Sequence, residues 1–303
     1  MDIVDAQVHV SRGTIEATLE TMNALRITSL LIDEFWGTYD KSGDPTHIDP
    51  GFLLPNGSWR AAYPTAEQAS LLHPDRFAYL VRIDRNDPQL ESVMQVVASS
   101  PNARAFRLQP VWTTEEAAAF AAGAYEPLLD LAEGLGLPVC LFIPGYVELL
   151  APYVKRHPKL TFVIDHCGMG FRGIPRGRLA AEAQRAASPA YFSEVLKLAA
   201  FPNVALKWSH PQALFAAAGA YPFEALRPIL RRAIEAFGAD QIMWASDKTV
   251  MFGHTWPELL DCLRTSPDLS QDEKEWILGR TARKVLKWPA PASPPAFTPE
   301  IPS

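Results

Sequence analysis

The sequence predicts an α/β protein, specifically a single (β/α)₈ TIM barrel, from three observations. Eight short apolar runs alternate with predicted helices along 303 residues, a normal length for one such barrel. Most runs are nearly continuous in apolar residues, as expected of parallel strands buried on both faces. A doubly wound open sheet is the rival fold, but it would need a glycine-rich phosphate turn after the first strand. Ser11–Arg12–Gly13 lacks the GxGxxG spacing of such a turn.

Eight strands are predicted in order along the chain. The first lies within Met1–Val10, and the others are Ile27–Asp33, Phe77–Ile83, Arg104–Leu108, Leu137–Ile143, Leu160–Asp165, Val204–Lys207 and Gln241–Ala245. Two long stretches interrupt the alternation of strands and helices, at Gly37–Tyr63 and Gly168–Ala187. We expect both to be loop insertions at the C-terminal face of the barrel, because long loops are usually functional.

Helices are predicted between the strands and after the last one. They cover Thr14–Leu25, Ala66–Leu72, Leu90–Ser99, Tyr125–Leu135, Tyr146–Arg156, Tyr191–Ala200, Phe223–Phe237, Trp256–Leu263 and Gln271–Leu286. Thr14 is of a type that caps helix N-termini, and Gly136 suits the position just after a helix.

Composition indicates a soluble protein with one large core. The chain is 48% hydrophobic and 20% charged, with a net charge of −6. The mild acidity disfavours a nucleic-acid partner, and no apolar run reaches the length of a membrane span. Three cysteines without CxxC spacing imply neither a disulfide framework nor a structural zinc site. We expect a barrel domain over residues 1–288, a Pro-rich extended tail over 289–303, no signal peptide and a cytoplasmic location.

Polar and apolar residues alternate in the first strand. Asp5, Gln7 and His9 are each two residues apart, so a regular strand would place all three side chains on one face. If that face is buried, the three groups need polar partners. A half-exposed edge strand would also produce the alternation, but two later segments supply partners for a buried face.

His9, His166 and Asp247 follow the first, sixth and eighth predicted strands. The carboxyl ends of barrel strands meet at one mouth, so we expect these side chains to lie together. Two imidazoles and a carboxylate form an ordinary ligand set for Zn²⁺, Mn²⁺ or Fe²⁺. The same groups could instead perform acid–base chemistry without a metal, with Asp247 as the general base on water. The structural alternatives are a core position for His166 and a helix cap for Asp247.

The segments around these residues resemble a known family. Gln7–Val8–His9, Val163–Ile164–Asp165–His166–Cys167–Gly168, Leu206–Lys207–Trp208–Ser209 and Trp244–Ala245–Ser246–Asp247 are similar to motifs of the amidohydrolase superfamily. The resemblance covers about Asp2–Leu286 and is greatest to the amidohydrolase-related branch of lactonases and metal-dependent decarboxylases. It implies a (β/α)₈ barrel in which HxH on strand one, histidines on strands five and six, and an aspartate on strand eight hold a polarised water or substrate.

The chain departs from that pattern at three positions. Gln7 replaces the first histidine of HxH, Phe142 stands where the strand-five histidine is expected, and strand four ends in Arg107 without a lysine for a binuclear site. The expected metal ligands are therefore His9, His166 and Asp247, with Gln7 as a further candidate or a purely structural group. One divalent ion, Zn or Mn, and a metal-free enzyme both remain open, since the resemblance implies that lactonases of this branch work without metal.

Other polar and aromatic residues near the strand ends have two interpretations each. Arg82 and Arg107 either hold a substrate carboxylate or pair with Glu34 or Asp84, and Lys207 shares this ambiguity. His210 and His254 could stand in for the missing metal ligands, but solvent exposure is favoured for both. Trp36, Trp59 and Trp112 either line the pocket or cover the barrel rim, and a solvent-exposed loop is favoured over a basic lid for Arg172, Arg176 and Arg178.

Together these residues predict a hydrolase that acts on a small lactone bearing a carboxylate. Asp247 would deprotonate water, His9 and His166 would polarise the carbonyl, and Arg82 and Arg107 would anchor the acid group. The alternatives are a metal-dependent decarboxylase of an aromatic or enoic acid, and a catalytically silent partner of an active homologue. The expected partners are a small-molecule substrate and a second copy of the chain or a homologue.

Overall fold

The main β-sheet of the protein contains all eight predicted barrel strands. The computed structural model describes residues 1–10, 13–34, 36–39, 45–48, 50–170, 188–215, 218–251 and 253–292, with the backbone alone described at 36–39 and 45–48. Its strands are β1 Val4–Val8, β2 Ser29–Asp33, β3 Trp36–Tyr39, β4 Pro45–Ile48, β5 Gly51–Leu53, β6 Trp59–Ala61, β7 Phe77–Arg82, β8 Ala103–Leu108, β9 Val139–Leu141, β10 Phe162–Ile164, β11 Val204–Trp208 and β12 Ile242–Trp244.

The main sheet is parallel throughout and follows the order β1-β2-β7-β8-β9-β10-β11-β12. Its two ends meet just beyond β12, where the N–H of Asp247 donates to the carbonyl oxygen of Gln7 at 2.9 Å. With helices around it, this sheet forms the predicted (β/α)₈ barrel, and the fold prediction is confirmed.

Helices lie between the barrel strands. They are α1 Ile15–Leu25, α2 Pro64–Leu72, α3 Leu90–Ser99, α4 Thr114–Ala121, α5 Glu126–Leu135, α6 Leu150–Arg156, α7 Phe192–Leu196, α8 Pro211–Leu214, α9 Arg227–Phe237, α10 Trp256–Arg264, α11 Gln271–Glu275 and α12 Thr281–Val285. A π-helical turn, Trp276–Arg280, joins the last two, and α4 is not among the predicted helices. No helix in the described ranges is long and apolar enough to cross a membrane.

The first predicted loop contains two antiparallel hairpins, β3–β4 and β5–β6. The second is fastened to the segment after β7, because Arg60 makes two hydrogen bonds to Asp87 at 2.7 and 2.5 Å and the Trp59 N–H donates to Asp84 at 2.8 Å. The insertion thus contains short strands that the sequence analysis did not predict, since strands of three or four residues are too short to show a period. The side chain of Trp36, the three arginines of the second insertion (Arg172, Arg176 and Arg178) and the tail from residue 293 lie outside the described residues.

A β-bulge in β1 changes the predicted facing of its polar residues. Asp5 pairs with Leu30 and Val8 with Ile32, so β1 has one residue more than β2 between these pairs. Gln7 and His9 consequently face the barrel interior, whereas Asp5 lies on the outer face and accepts a hydrogen bond from Trp256 of α10 at 2.8 Å. The prediction that all three share one face was wrong, because a strict alternation cannot show a bulge. Burial raises the pKa of Asp5 to about 7.

Small and apolar side chains fill the lower part of the barrel. Val4, Ala6 and Ala205 pack there with residues of the other strands, and Leu286 and Trp288 close this layer from the C-terminal segment. Larger apolar side chains point outward from the strands into a second cluster under the helices. Because the lower interior is packed with apolar groups, the polar side chains that face the barrel interior lie toward the carboxyl ends of the strands.

We expect Gly279→Ala to lower the stability of the barrel, because a Cβ on Gly279 would overlap the backbone carbonyl oxygen of Asp2. Relief needs a backbone shift, which we expect to cost at least about 1–3 kcal/mol. Gly134→Ala in α5 is the matched control, since nothing lies within 4 Å of its added Cβ. The control should gain roughly 0.5–1 kcal/mol. Urea unfolding of both variants tests this, and equal shifts would contradict it.

Candidate active site at the carboxyl ends of the strands

Asp247 lies at the centre of the candidate site, just beyond β12. His9 Nε2 is 3.1 Å from its Oδ1, while His210 Nε2 and His166 Nε2 are 2.6 and 3.8 Å from its Oδ2. All four side chains are buried. The structure thus brings together the three residues singled out from the sequence and adds His210 to them.

The backbone of Asp247 holds this side chain toward the barrel interior. Its φ of 45° lies in the left-handed region, which is uncommon for a residue with a side chain. Burial alone would raise the pKa of Asp247, but the neighbouring His9 and His210 rings hold it well below its ordinary value. The carboxylate is therefore ionised at neutral pH.

His9 bridges Asp247 and the end of β2. Its Nδ1–H donates to the carbonyl oxygen of Asp33 at 2.8 Å, which leaves Nε2 facing Asp247. Burial opposes a charge on His9, but the carboxylates of Asp247 and Asp33 raise its pKa above the ordinary value. His9 is thus an imidazole that readily carries a second proton.

His166 has the opposite character. Arg107 Nη2 can only donate, so His166 Nε2 accepts at 3.2 Å, and the Nδ1–H donates to Ser209 Oγ at 2.8 Å. Ser209 Oγ also accepts from the backbone N–H of His166 at 3.1 Å, which fixes the ring. Burial, followed by the neighbouring His210, lowers the pKa of His166 well below its ordinary value. His166 therefore presents a neutral ring with a lone pair on Nε2.

His210 was interpreted from the sequence as solvent exposed, and this was wrong. It follows β11 by two residues, has a φ of 57° and is only 3% exposed. The turn after β11 directs its ring onto Asp247 and against His166, with ring centroids 4.5 Å apart. No spacing in the sequence signals this turn. His254 is half-buried and packs on Phe223, with ring centroids 5.1 Å apart.

Next to His166 and His210, buried charged and polar side chains are linked around the barrel. We call this set the charge ring: Asp33, Arg107, Asp165, Lys207, Gln7, Asp247 and His9. Arg107 pairs with Asp33 and donates from Nε to Asp165 at 2.8 Å. Lys207 Nζ lies 2.9 Å from Asp165 Oδ1. Each positive side chain is thus next to a carboxylate, as buried charges require.

Gln7 completes the charge ring. Its Oε1 accepts from Lys207 Nζ at 2.9 Å and its Nε2 donates to Asp247 Oδ2 at 3.4 Å. The amide therefore separates a buried ammonium from a buried carboxylate, and its one acceptor oxygen faces Lys207. This geometry favours the structural alternative for Gln7 over metal ligation, and it shows that Lys207 pairs with groups of the protein.

The side chain of Phe142, beyond β9, packs edge to face on His166 with ring centroids 5.4 Å apart. It is 4% exposed and lies next to the imidazole cluster. A hydrocarbon ring therefore occupies the position where the family resemblance places a fifth-strand histidine.

A cavity of about 610 Å³ opens beside the charge ring, on the side of β2, β7 and β8. Its described lining includes Trp59, Tyr63, Trp112, Asn56 and Gln109. It reaches the ring through Asp33 and Arg107, whereas none of the three histidines belongs to this lining. The cavity can hold a drug-sized molecule next to the cluster.

Arg82 and Arg107 both bind the same carboxylate. Arg82 donates to Asp33 from Nε and Nη2, each at 3.1 Å. Burial alone would raise the pKa of Asp33, but the two guanidinium groups hold it far below the ordinary value. The nitrogens of Arg107 face Asp33, Asp165 and His166. The contacts described for the two guanidinium groups go to Asp33 rather than to Glu34 or Asp84, the alternatives predicted from the sequence. Glu34 instead accepts the N–H groups of Thr65 and Ala66 in the first turn of α2.

One set of side chains in the described residues has the composition of a metal site. His166, His210 and Asp247 each offer a ligand atom within 4.8 Å of the others. Asp247 Oδ1 is buried and receives no well-formed hydrogen bond from the described residues. Two imidazoles and a carboxylate match three-ligand catalytic zinc sites, so this donor set fits one divalent ion. His210, not His9, is the second imidazole of this set.

The chain matches the family model described as Amidohydrolase over residues 5–288. An L-fucono-1,5-lactonase from Burkholderia ambifaria is 34% identical over 135 residues, which are 43% of this chain and 41% of that protein. The match thus spans about two fifths of the relative's length.

Two solved structures share the fold. An amidohydrolase from Burkholderia multivorans with bound Zn has a TM-score of 0.68 and 16% identity, with 95% of this chain and 100% of that chain covered. A protein assigned as a 2-pyrone-4,6-dicarboxylic acid hydrolase from Pseudomonas putida has a TM-score of 0.59 and 20% identity, with coverage of 94% and 97%.

We expect Lys207→Met to destabilise the protein strongly, because it removes the ammonium that faces Asp165 Oδ1 and Gln7 Oε1 in the charge ring. The loss should be about 3–5 kcal/mol of unfolding free energy. Arg280→Met removes surface ion pairs with Asp272 and Glu275 from a side chain that is 49% exposed, and it should cost at most about 1 kcal/mol. Denaturant unfolding of the two variants tests this, and similar losses would argue against a ring that depends on paired charges.

Proposed function

Because this chain belongs to the amidohydrolase family, we propose that it is a hydrolase that opens a small lactone with water. The proposal is carried by Asp247, a buried and ionised carboxylate that contacts two imidazoles and lies near a third. A ligand-sized cavity reaches the same charge ring through Asp33 and Arg107. The similarity to an L-fucono-1,5-lactonase supports this reaction class.

The proposed reaction begins with proton transfer from water to Asp247. The water oxygen attacks the lactone carbonyl carbon, and the carbonyl oxygen becomes an oxyanion. His9, whose pKa is raised, stabilises this charge as an imidazolium, and His166 Nε2 accepts from Arg107 and so holds that guanidinium next to the cluster. The ring C–O bond then breaks, and the ring oxygen takes the proton held by Asp247. The product is a hydroxy acid.

A divalent ion held by His166, His210 and Asp247 would supply a Lewis acid and a more acidic water. The proton between His210 and Asp247 competes with such an ion, because the His210 Nε2–H donates to the carboxylate at 2.6 Å.

The cavity favours an uncharged, hydroxylated substrate over the carboxylated lactone expected from the sequence. The two arginines on which that expectation rested both bind Asp33. The charged residues in the described lining are three arginines and four acids: Arg82, Arg85, Arg107, Asp33, Glu34, Asp84 and Glu116. A carboxylate would therefore meet guanidinium groups that are already paired, whereas amide and aromatic groups suit the hydroxyls and faces of a sugar-like ring.

We expect an aldono-1,5-lactone to be hydrolysed with a higher kcat/KM than a carboxylated pyrone. The carboxylate of the pyrone would meet only guanidinium groups that already pair with acids in the described lining of the cavity. Acid release measured in a pH-indicator assay compares the two substrates. The reverse preference would restore the predicted carboxylate anchor at Arg82 and Arg107. Absence of turnover on both would favour the silent-partner alternative.

Asp247→Asn should lower kcat by about 10²–10⁴-fold, since the amide cannot take a proton from water. Circular dichroism should show an unchanged fold. Asp130→Asn, whose side chain is 73% exposed, is the control and should keep normal turnover. Near-normal turnover of Asp247→Asn would exclude the base role.

The donor set also favours a second candidate, a metal-dependent decarboxylase of an aromatic or enoic acid. That reaction would need a tightly held ion, so CO₂ release that disappears on chelation would favour it. Hydroxy-acid formation that survives chelation would favour a metal-free lactonase.

Zinc titrated calorimetrically into chelator-treated protein should bind at least tenfold more weakly to His210→Ala than to the parent, since one of three ligands is lost. Binding should also weaken at lower pH, because protons compete for the imidazoles. His254→Ala is the matched control and should bind like the parent. Equal binding by His210→Ala would show that zinc binds elsewhere.

A further inference from the structure

One buried carboxylate is used by neither the charge ring nor the proposed reaction. Asp5 is fully buried on the outer face of β1, and within the described chain no Lys, Arg or His lies at ion-pair distance from it. Keeping an unpaired acid in such a place is costly unless its oxygens accept hydrogen bonds.

Three N–H groups supply those hydrogen bonds. Asp5 Oδ1 accepts from the Ser246 backbone at 2.8 Å and from the Gln7 backbone at 3.4 Å, and Oδ2 accepts from Trp256 Nε1 at 2.8 Å. The shorter of the two backbone hydrogen bonds to Asp5 therefore comes from Ser246, the residue immediately before Asp247.

The backbone at Asp247 needs such support. Its φ of 45° is an unfavourable conformation for an aspartate, with a cost on the order of 1 kcal/mol or more. Both N–H groups that lead into this conformation are held by β1, since Ser246 donates to the Asp5 side chain and Asp247 to the Gln7 carbonyl. The Asp247 carboxylate then points at His9 and His210.

We propose that Asp5 is a positioning residue for Asp247: it fixes the Ser246 N–H and so aims the carboxylate of Asp247 at its histidines. Only the kinetic test of this inference depends on the proposed function. The competing explanation is that Asp5 merely attaches α10 to the barrel through Trp256.

Three variants separate these explanations. In Asp5→Asn the amide has one oxygen and one NH₂, so either Ser246 or Trp256 faces a donor instead of an acceptor. Trp256→Phe removes the indole donor and leaves the bond to Ser246 intact. In the double variant the Asn oxygen can serve Ser246 with no indole N–H opposite its NH₂.

We expect Asp5→Asn to lower kcat by roughly 10–100-fold with little change in KM, because Asp5 does not touch the cavity and a displaced Asp247 affects chemistry. Trp256→Phe should keep kcat within about 2-fold of the parent, and the double variant should recover most of the kcat lost in Asp5→Asn. Equal kcat losses in both single variants, or no recovery in a folded double variant, would overturn the proposal. Thermal unfolding checks each fold, and if Asp5→Asn does not fold, the double variant decides alone.

A spectroscopic measurement keeps this test separate from the proposed function. The imidazole N–H resonances of His9 and His210, assigned by ¹⁵N NMR, report the position of the Asp247 carboxylate. They should shift in Asp5→Asn and not in Trp256→Phe. Unchanged resonances in Asp5→Asn would overturn the positioning role even if no lactone is hydrolysed, whereas shifted resonances without any turnover would count against the lactonase alone.

Discussion

The charge ring is the constraint on which the candidate site depends. Three carboxylates, an ammonium, a guanidinium, an imidazole and an amide lie buried at the barrel mouth, and each charge is tolerated only because an opposite charge or dipole faces it. An unpaired charge there would cost several kcal/mol, a large fraction of the stability of a typical domain. The ring therefore fixes the rotamers of Asp247 and His9 before any substrate binds, which is the preorganisation that electrostatic catalysis requires.

Because of its bulge, β1 places polar side chains on both the inner and the outer face of the barrel. Gln7 and His9 reach into the ring, while Asp5 contacts the segment outside that carries Asp247. A regular strand would place Asp5 inside with the other two, where a further carboxylate would add to those of Asp33, Asp165 and Asp247. The extra residue removes that repulsion and turns the carboxylate into an acceptor for backbone N–H groups.

Much of this architecture could be predicted from the sequence, because buried parallel strands give long apolar runs and barrel geometry brings their ends together. His9, His166 and Asp247 were found that way. His210 was assigned to solvent because a left-handed turn, rather than a strand period, directs it inward. The partner of Arg82 and Arg107 was also missed. Asp33 was assigned to the strand itself, and ion pairs between different strands leave no spacing in the sequence to detect.

Gln7 limits the ways in which substitutions could create a stronger metal centre in this protein. Restoring a histidine at position 7 alone would take the acceptor oxygen from Lys207 and leave its ammonium facing a neutral ring or a cation. Replacing Phe142 by a ligand would not relieve that conflict. A tight metal centre that includes position 7 would thus need coordinated substitutions at Gln7 and Lys207, because a change at Gln7 alone disturbs its contact with Lys207.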